Sequence, residues 1–242
     1  MPSVGLVVLD LAGTILDDGG AVLAAFRAAL DHVQIAVDEA ELNAARGANK
    51  LQVFRRFASA ALGPGPDAVR AAQEALAAFN EEMLVRLRDG EIDLIPGSAA
   101  AIQALRDAGL KLATNSGFNR QIADAILTKL RRAVGAFDAD VCGDDVPEGR
   151  PAPYMIFLAM ERGGVHDARS VVVVGDTPFD LQAGTNAGAG GVVGVLTGTH
   201  DWRSLGATRH THLIGSVADL PALLRDQFGL RINVEEPSPL SL

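Results

Sequence analysis

Four short segments carry residue types that can do chemistry. In Asp10-Leu11-Ala12-Gly13-Thr14 a carboxylate is followed by small residues. A tight turn of small residues lets backbone groups approach a ligand, so Asp10 could act as a nucleophile with Ala12, Gly13 and Thr14 around its target. An ordinary Asx or glycine turn has the same composition. Thr114-Asn115-Ser116-Gly117 gathers hydroxyl and amide groups ahead of a helix predicted from about Arg120. Such groups at a helix N-terminus suit a phosphate oxygen, and equally suit plain capping by Asn115 or Ser116. Arg150, set between Gly149 and Pro151, is a lone cation on stiffened backbone. It could neutralise a nucleophile and a phosphoryl group together, or be a solvated loop arginine. Asp176 and Asp180 stand four residues apart across Thr177-Pro178-Phe179. On the first turn of a helix starting near Thr177 they share a side, as hard oxygen ligands for Mg²⁺ should, although either acid could instead cap the helix.

Along the chain, the segments of Asp10, Thr114 and Asp176 fall at the ends of apolar runs. Val4 to Leu9, Leu110 to Thr114, Val171 to Gly175 and Val192 to Leu196 are short and largely β-branched or aliphatic, as strands buried on both faces should be. Ala/Leu-rich stretches of helical spacing separate them, including one predicted over Ser98 to Ala108. This alternation predicts the α/β class, a doubly wound parallel sheet, in which ligands bind beyond the carboxyl ends of the strands. From Asp17 to about Ile92 the sequence is Ala-rich, charged and helix-forming, broken at Gly63-Pro64-Gly65-Pro66. The expected organisation is therefore a core over 1–18 and 93–230, an inserted helical domain over 19–92, and a tail over 231–242.

Composition narrows the function. With 242 residues and 48% hydrophobic content the chain can bury a full core plus an insertion. A net charge of −9 and a pI near 5.0 argue against partners such as nucleic acid or an anionic membrane surface, so any phosphate site must be built locally. Cys142 is the single cysteine, no apolar run approaches a bilayer span, and the first residues lack a basic signal-peptide segment. The expected location is the cytoplasm.

Taken in order, the four segments resemble the signature of the haloacid dehalogenase superfamily over roughly residues 1–18 and 93–225. That resemblance implies a Rossmann-like core with an α-helical cap and an aspartyl-phosphate formed on Asp10. It also implies Mg²⁺ held by Asp10, the Ala12 carbonyl and Asp176 with support from Asp180, and a phosphoryl group bound by Thr114 and Arg150. Many members carry a general-acid aspartate two residues after the nucleophile, where this chain has Ala12. Asp-x-Ala-Gly-Thr and Gly-Arg-Pro are instead similar to the phosphonatase branch, which cleaves a C–P bond. Arg46-Gly47-Ala48-Asn49-Lys50 is similar to that branch's cap segment, in which Lys50 would form a Schiff base with a substrate aldehyde. Attack by Lys50 requires a depressed pKa, which burial beside Arg46 or Arg150 would supply. The chain departs from the branch at Val53, where a histidine is expected, at Phe118 for tyrosine, and at Arg46 for methionine. The implied partner is a small phosphorylated or phosphonate metabolite, and a homodimer stays open. Alternatives are a phosphomonoester phosphatase resembling phosphoglycolate phosphatase, or a phosphometabolite-binding protein without turnover. The acidic pair argues against a metal-free dehalogenase.

Overall fold

Leu6-Val7-Val8-Leu9 forms β1 (Leu6–Leu9) with all four side chains buried. A strand so apolar belongs at the centre of a sheet covered on both faces, each fully buried side chain contributing roughly 1.5–3 kcal/mol. The computed structural model, which describes residues 4–90 and 93–233, places it there. The other strands of this sheet are β4 (Lys111–Ser116), β5 (Ala139–Cys142), β6 (Val171–Gly175), β7 (Gly191–Val195) and β8 (His212–Ile214). Their order is β5-β4-β1-β6-β7-β8, all parallel. Side chains alternate between two apolar layers. Val7, Leu9, Leu112, Val172 and Val174 share one core, while Leu6, Val8, Ala113, Val171 and Val173 join Met155, Ile156 and Ala183 in the other. Helices α5 (Ser98–Asp107), α6 (Arg120–Val134), α7 (Tyr154–Gly163), α8 (Pro178–Ala187), α9 (Trp202–Gly206) and α10 (Leu220–Phe228) complete the two-sided cover.

The chain runs from β1 outward through β4 to β5, then returns across the sheet to β6 and continues through β7 to β8. The order therefore reverses at β1, and the loops beyond β1, β4 and β6 open a crevice between them. Asp10 is the first residue of that crevice, and its N–H still bonds the Val174 carbonyl at 2.9 Å.

The helical insert enters and leaves through two strands of two residues each. β2 (Leu16–Asp17) pairs antiparallel with β3 (Asp93–Leu94). Between them run α1 (Ala21–His32), α2 (Glu39–Ala44), α3 (Lys50–Leu62) and α4 (Pro66–Asp89). The Gly63–Pro66 break separates α3 from α4, with Gly63 at φ +79° ending one helix and Pro66 beginning the next. Phe26, Phe54 and Phe79 meet from three different helices with ring centroids 4.9–5.9 Å apart. Removing any one of these buried rings would cost about 3–5 kcal/mol. The expected junction at Ile92 and residues 234–242 of the expected tail lie outside the described residues. No helix among the described residues is long and apolar enough to cross a membrane.

Candidate active site

The first turn after β1 is built around Asp176. Gly13 has φ +87°, and a Cβ there would lie 2.4 Å from the Asp176 carboxylate. Thr14, fully buried, directs its hydroxyl to Asp176 Oδ1 at 3.4 Å. The loop after β7 closes the same carboxylate from the other side, since a Cβ on Gly198 would fall 1.8 Å from it. Thr197 ties the two loops by donating to the Gly13 carbonyl at 2.7 Å. Gly13 and Thr14 thus position an acid, whereas Ala12 lines the cavity itself.

At the start of α8 the two acids divide their work. Thr177 caps the helix, and Asp180 returns the bond by accepting from the Thr177 N–H at 3.1 Å. Asp180 Oδ1 meanwhile accepts from Arg150 Nη1, which also donates to Asp10 Oδ1 at 2.9 Å. Oxygens of Asp10, Asp176 and Asp180 all lie within 4.8 Å of one another. Arg150 is 3% exposed and is no solvated loop residue. Gly117 admits it, because a side chain there would start 3.2 Å from Arg150 Nη2. The Arg150 Nε is buried without an acceptor among the described residues.

A cavity of about 30 Å³ lies above these groups, lined by Asp10, Ala12, Ser116, Arg150 and Asp176 from the core and by Arg46 and Lys50 from the insert. Asn49 caps α3 by accepting from the Gln52 N–H at 3.1 Å, which leaves Lys50 as the first helical residue. Its Nζ donates to the Ala48 carbonyl at 3.1 Å and lies 5.4 and 5.6 Å from the ring centres of Phe26 and Phe118. Wider grooves of about 440–450 Å³ flank α4 and α6. They do not bring a nucleophile, an acid pair and a cation together, so size is a poor guide here.

Burial dominates the electrostatics. It lowers the Lys50 amine to about 7, assisted by the positive charges of Arg150 and Arg46. The positive end of α3 acts in the same direction. Burial raises the Asp10 carboxyl above the usual carboxylate range, against the pull of Arg150. Burial and the neighbouring Asp10 push Asp176 up to about 7. A pocket that holds three carboxylates so close, with a single arginine bonded to two of them, fits a divalent cation that would restore Asp176 to its charged form.

The second segment differs from its expected reading. β4 runs on to Ser116, and Thr114 pairs with Leu9 inside the sheet, below the level of Asp10. Ser116, two residues further along the same face, lines the cavity in its place. Asn115 points to the opposite face with a buried Oδ1 that has no partner among the described residues. Neither caps α6, a role filled by Asn119, which accepts from the Ile122 N–H at 2.9 Å. Sequence reasoning also missed Asp18. This acid lies two residues before Gly20, the N-cap of α1, accepts from the Val22 N–H at 3.0 Å and pairs with Arg46 at 3.0 Å. Its signal was available, an aspartate four residues before the first buried stripe of a helix.

A family model described as haloacid dehalogenase-like hydrolase matches residues 4–188. The chain belongs to that family of hydrolases. Its sequence relatives place it in the phosphonatase-like branch. Phosphonoacetaldehyde hydrolase of Bacteroides fragilis is 30% identical over 83% of this chain and 79% of that protein. The enzyme of the same name from Paraburkholderia phytofirmans is 27% identical over 93% of this chain and 96% of its own. In fold, the crystal structure of a phosphonoacetaldehyde hydrolase-like protein from Oleispira antarctica superposes with a TM-score of 0.80 at 22% identity, covering 93% of this chain and 92% of that one.

Proposed function

We propose that this chain hydrolyses the C–P bond of a small phosphonate that carries a carbonyl group, using Asp10 as nucleophile and Lys50 as the imine-forming amine. One observation carries the reading: a buried lysine, its amine lowered to about 7, lines the same cavity as a buried carboxylate held by Arg150. A plain phosphatase needs no neutral amine there. The neutral Lys50 attacks the carbonyl carbon, and loss of water with uptake of one proton from solvent gives an iminium. Asp10 then attacks phosphorus, and the electron pair of the breaking P–C bond enters the iminium to give an enamine. Water cleaves the aspartyl-phosphate to phosphate, while protonation of the enamine and hydrolysis of the imine release the dephosphorylated carbonyl compound and free Lys50.

In this scheme Arg150 and Ser116 bind the phosphoryl oxygens, with Ser116 taking the part expected of Thr114. Asp10, Asp176 and the Ala12 carbonyl would hold Mg²⁺, which when bound neutralises charge on the phosphoryl group. Asp180, whose two oxygens already serve Arg150 and Thr177, supports those groups. The helical insert acts as the cap, and Ala12 supplies no acid because an enamine is a far better leaving group than an alkoxide.

Phosphate release across a panel of phosphonates and phosphomonoesters tests the proposal. Turnover of phosphonoacetaldehyde is expected, with loss of more than about a thousandfold in Asp10→Asn. Aryl phosphate hydrolysis without phosphonate cleavage would reassign the chain as a phosphomonoesterase. Binding of Mg²⁺ and phosphonates without any aspartyl-phosphate would make it a sensor.

A further inference from the structure

Arg46 is a charged residue of the cavity to which C–P cleavage gives no contact with substrate. Its side chain is 12% exposed, and it lines the same cavity as Asp10, Lys50 and Asp176. Only one of its nitrogens is engaged: Nη2 straddles the two oxygens of Asp18 at 3.1 and 3.0 Å. Nε and Nη1 have no acceptor among the described residues. Asp18 in turn spends part of its charge on the N-terminus of α1, through the Val22 N–H. Among the described residues the guanidinium therefore keeps three N–H donors without a protein partner, free to meet a planar anion in the cavity.

Position identifies the anion. Arg46 and Lys50 both descend from the insert, on either side of Gly47-Ala48-Asn49, while the phosphoryl-binding groups rise from the core. Resting on the proposed C–P hydrolysis, Lys50 meets the carbonyl carbon and Arg46 meets a group attached to it. We propose that Arg46 reads a carboxylate on the carbonyl carbon of the substrate, so that the substrate class is a 2-oxo acid bearing its phosphonate on the adjacent carbon. Asp18 fixes the guanidinium so that its free edge faces this group.

Two matched pairs of probes test it. For turnover, 3-phosphonopyruvate differs from phosphonoacetaldehyde by the carboxylate alone. The wild-type enzyme should favour the former by about 30-fold or more in kcat/KM, the range of a charge-assisted contact. Arg46→Met should bring the ratio near one, and Arg46→Lys, which keeps the charge without the fork, should lie between. For binding, 3-phosphonopropanoate and n-propylphosphonate lack a carbonyl and cannot react. Calorimetric titration of each in Mg²⁺ reads the same discrimination without catalysis. If neither carbonyl probe is turned over but wild type prefers 3-phosphonopropanoate tenfold and Arg46→Met does not, carboxylate recognition stands and the C–P reading falls. Equal losses on both members of a pair in Arg46→Met would mean that Arg46 is only a latch to Asp18, and would overturn the inference. So would a wild-type enzyme indifferent to the carboxylate in both pairs.

Discussion

Lys50 offers the most demanding test of the site. An ordinary lysine with its amine at 10.5 is neutral in roughly one molecule in three thousand at pH 7. Lowered to about 7, the amine of Lys50 is neutral in about half of the molecules, a gain on the order of a thousandfold in the reactive form. The assay is a borohydride pulse during turnover of an aldehyde phosphonate from pH 5.5 to 9.5, with the reduced adduct quantified on the peptide containing Lys50. Trapping should rise through a midpoint near 7 and then level off, and Lys50→Arg should give none, because guanidinium stays protonated. A yield still climbing above about pH 9 would refute the burial argument. Phosphate release without any adduct would refute the imine. Stability supplies an independent check. In the range between about 7 and 10.5 the unfolded chain binds the Lys50 proton and the folded chain does not, so this group makes folding more favourable as pH rises. Below about 7 the burial cost is complete, at most about 5 kcal/mol from the two end points. Lys50→Met should therefore melt above wild type at pH 6, and the difference should shrink towards pH 10. A difference that is constant with pH would mean that the lysine is hydrated in the folded protein.

The metal site and the seam of the insert give two further expectations. Asp176→Asn should melt higher than wild type in chelator, because it removes a buried carboxylate raised to about 7, yet Mg²⁺ should no longer raise its Tm; a Mg²⁺-dependent Tm gain equal to wild type's would exclude Asp176 as a ligand. Gly47→Ala should reduce kcat/KM at least tenfold, since Gly47 has φ +85° and a Cβ would lie 2.4 Å from Thr177 Oγ1, which obstructs the contact between insert and core. Kinetics within twofold of wild type would show that this contact is not needed for turnover.

The central strands were legible because each is apolar on both faces, so β1 and β6 announce themselves as unbroken Val/Leu runs. Edge elements were not. β5 contains Asp140, and β8 is three residues long with every side chain only half-buried, so neither carries a period or an apolar run. β4 ends two residues later than its apolar stretch suggests. Parallel pairing of Asn115 with Val141 and of Ser116 with Cys142 is made by the backbone and does not register in side-chain polarity. The cavity-lining hydroxyl of this strand is therefore Ser116, two residues past Thr114. Spacing alone leaves the acidic pair open between metal ligands and helix caps, because the capping bond to Thr177 and the ion pair to Arg150 depend on a rotamer and on a loop 30 residues away. Arg46 was visible as a residue out of pattern, but its meaning rests on Asp18, which only the turn of the chain through β2 brings beside it.

The same geometry explains why the lysine is not simply a reactive surface amine. A cavity of about 30 Å³ has room for roughly two water molecules, less than any phosphonate requires, so the Arg46–Lys50 segment must withdraw for substrate to enter. Withdrawal takes Lys50 away from Arg150 and returns it to water, where desolvation and like charge no longer lower its pKa and the ammonium prevails. Closure over substrate reverses both terms and releases the neutral amine only next to a bound carbonyl. Asp10 differs, because it and Arg150, which bonds it, both belong to the core and not to the insert. Under the proposed mechanism the nucleophile for phosphorus is permanent, while the nucleophile for carbon is made by closing. On this reading the order of chemistry, imine first and phosphoryl transfer second, follows from which of the two groups sits on the part that moves.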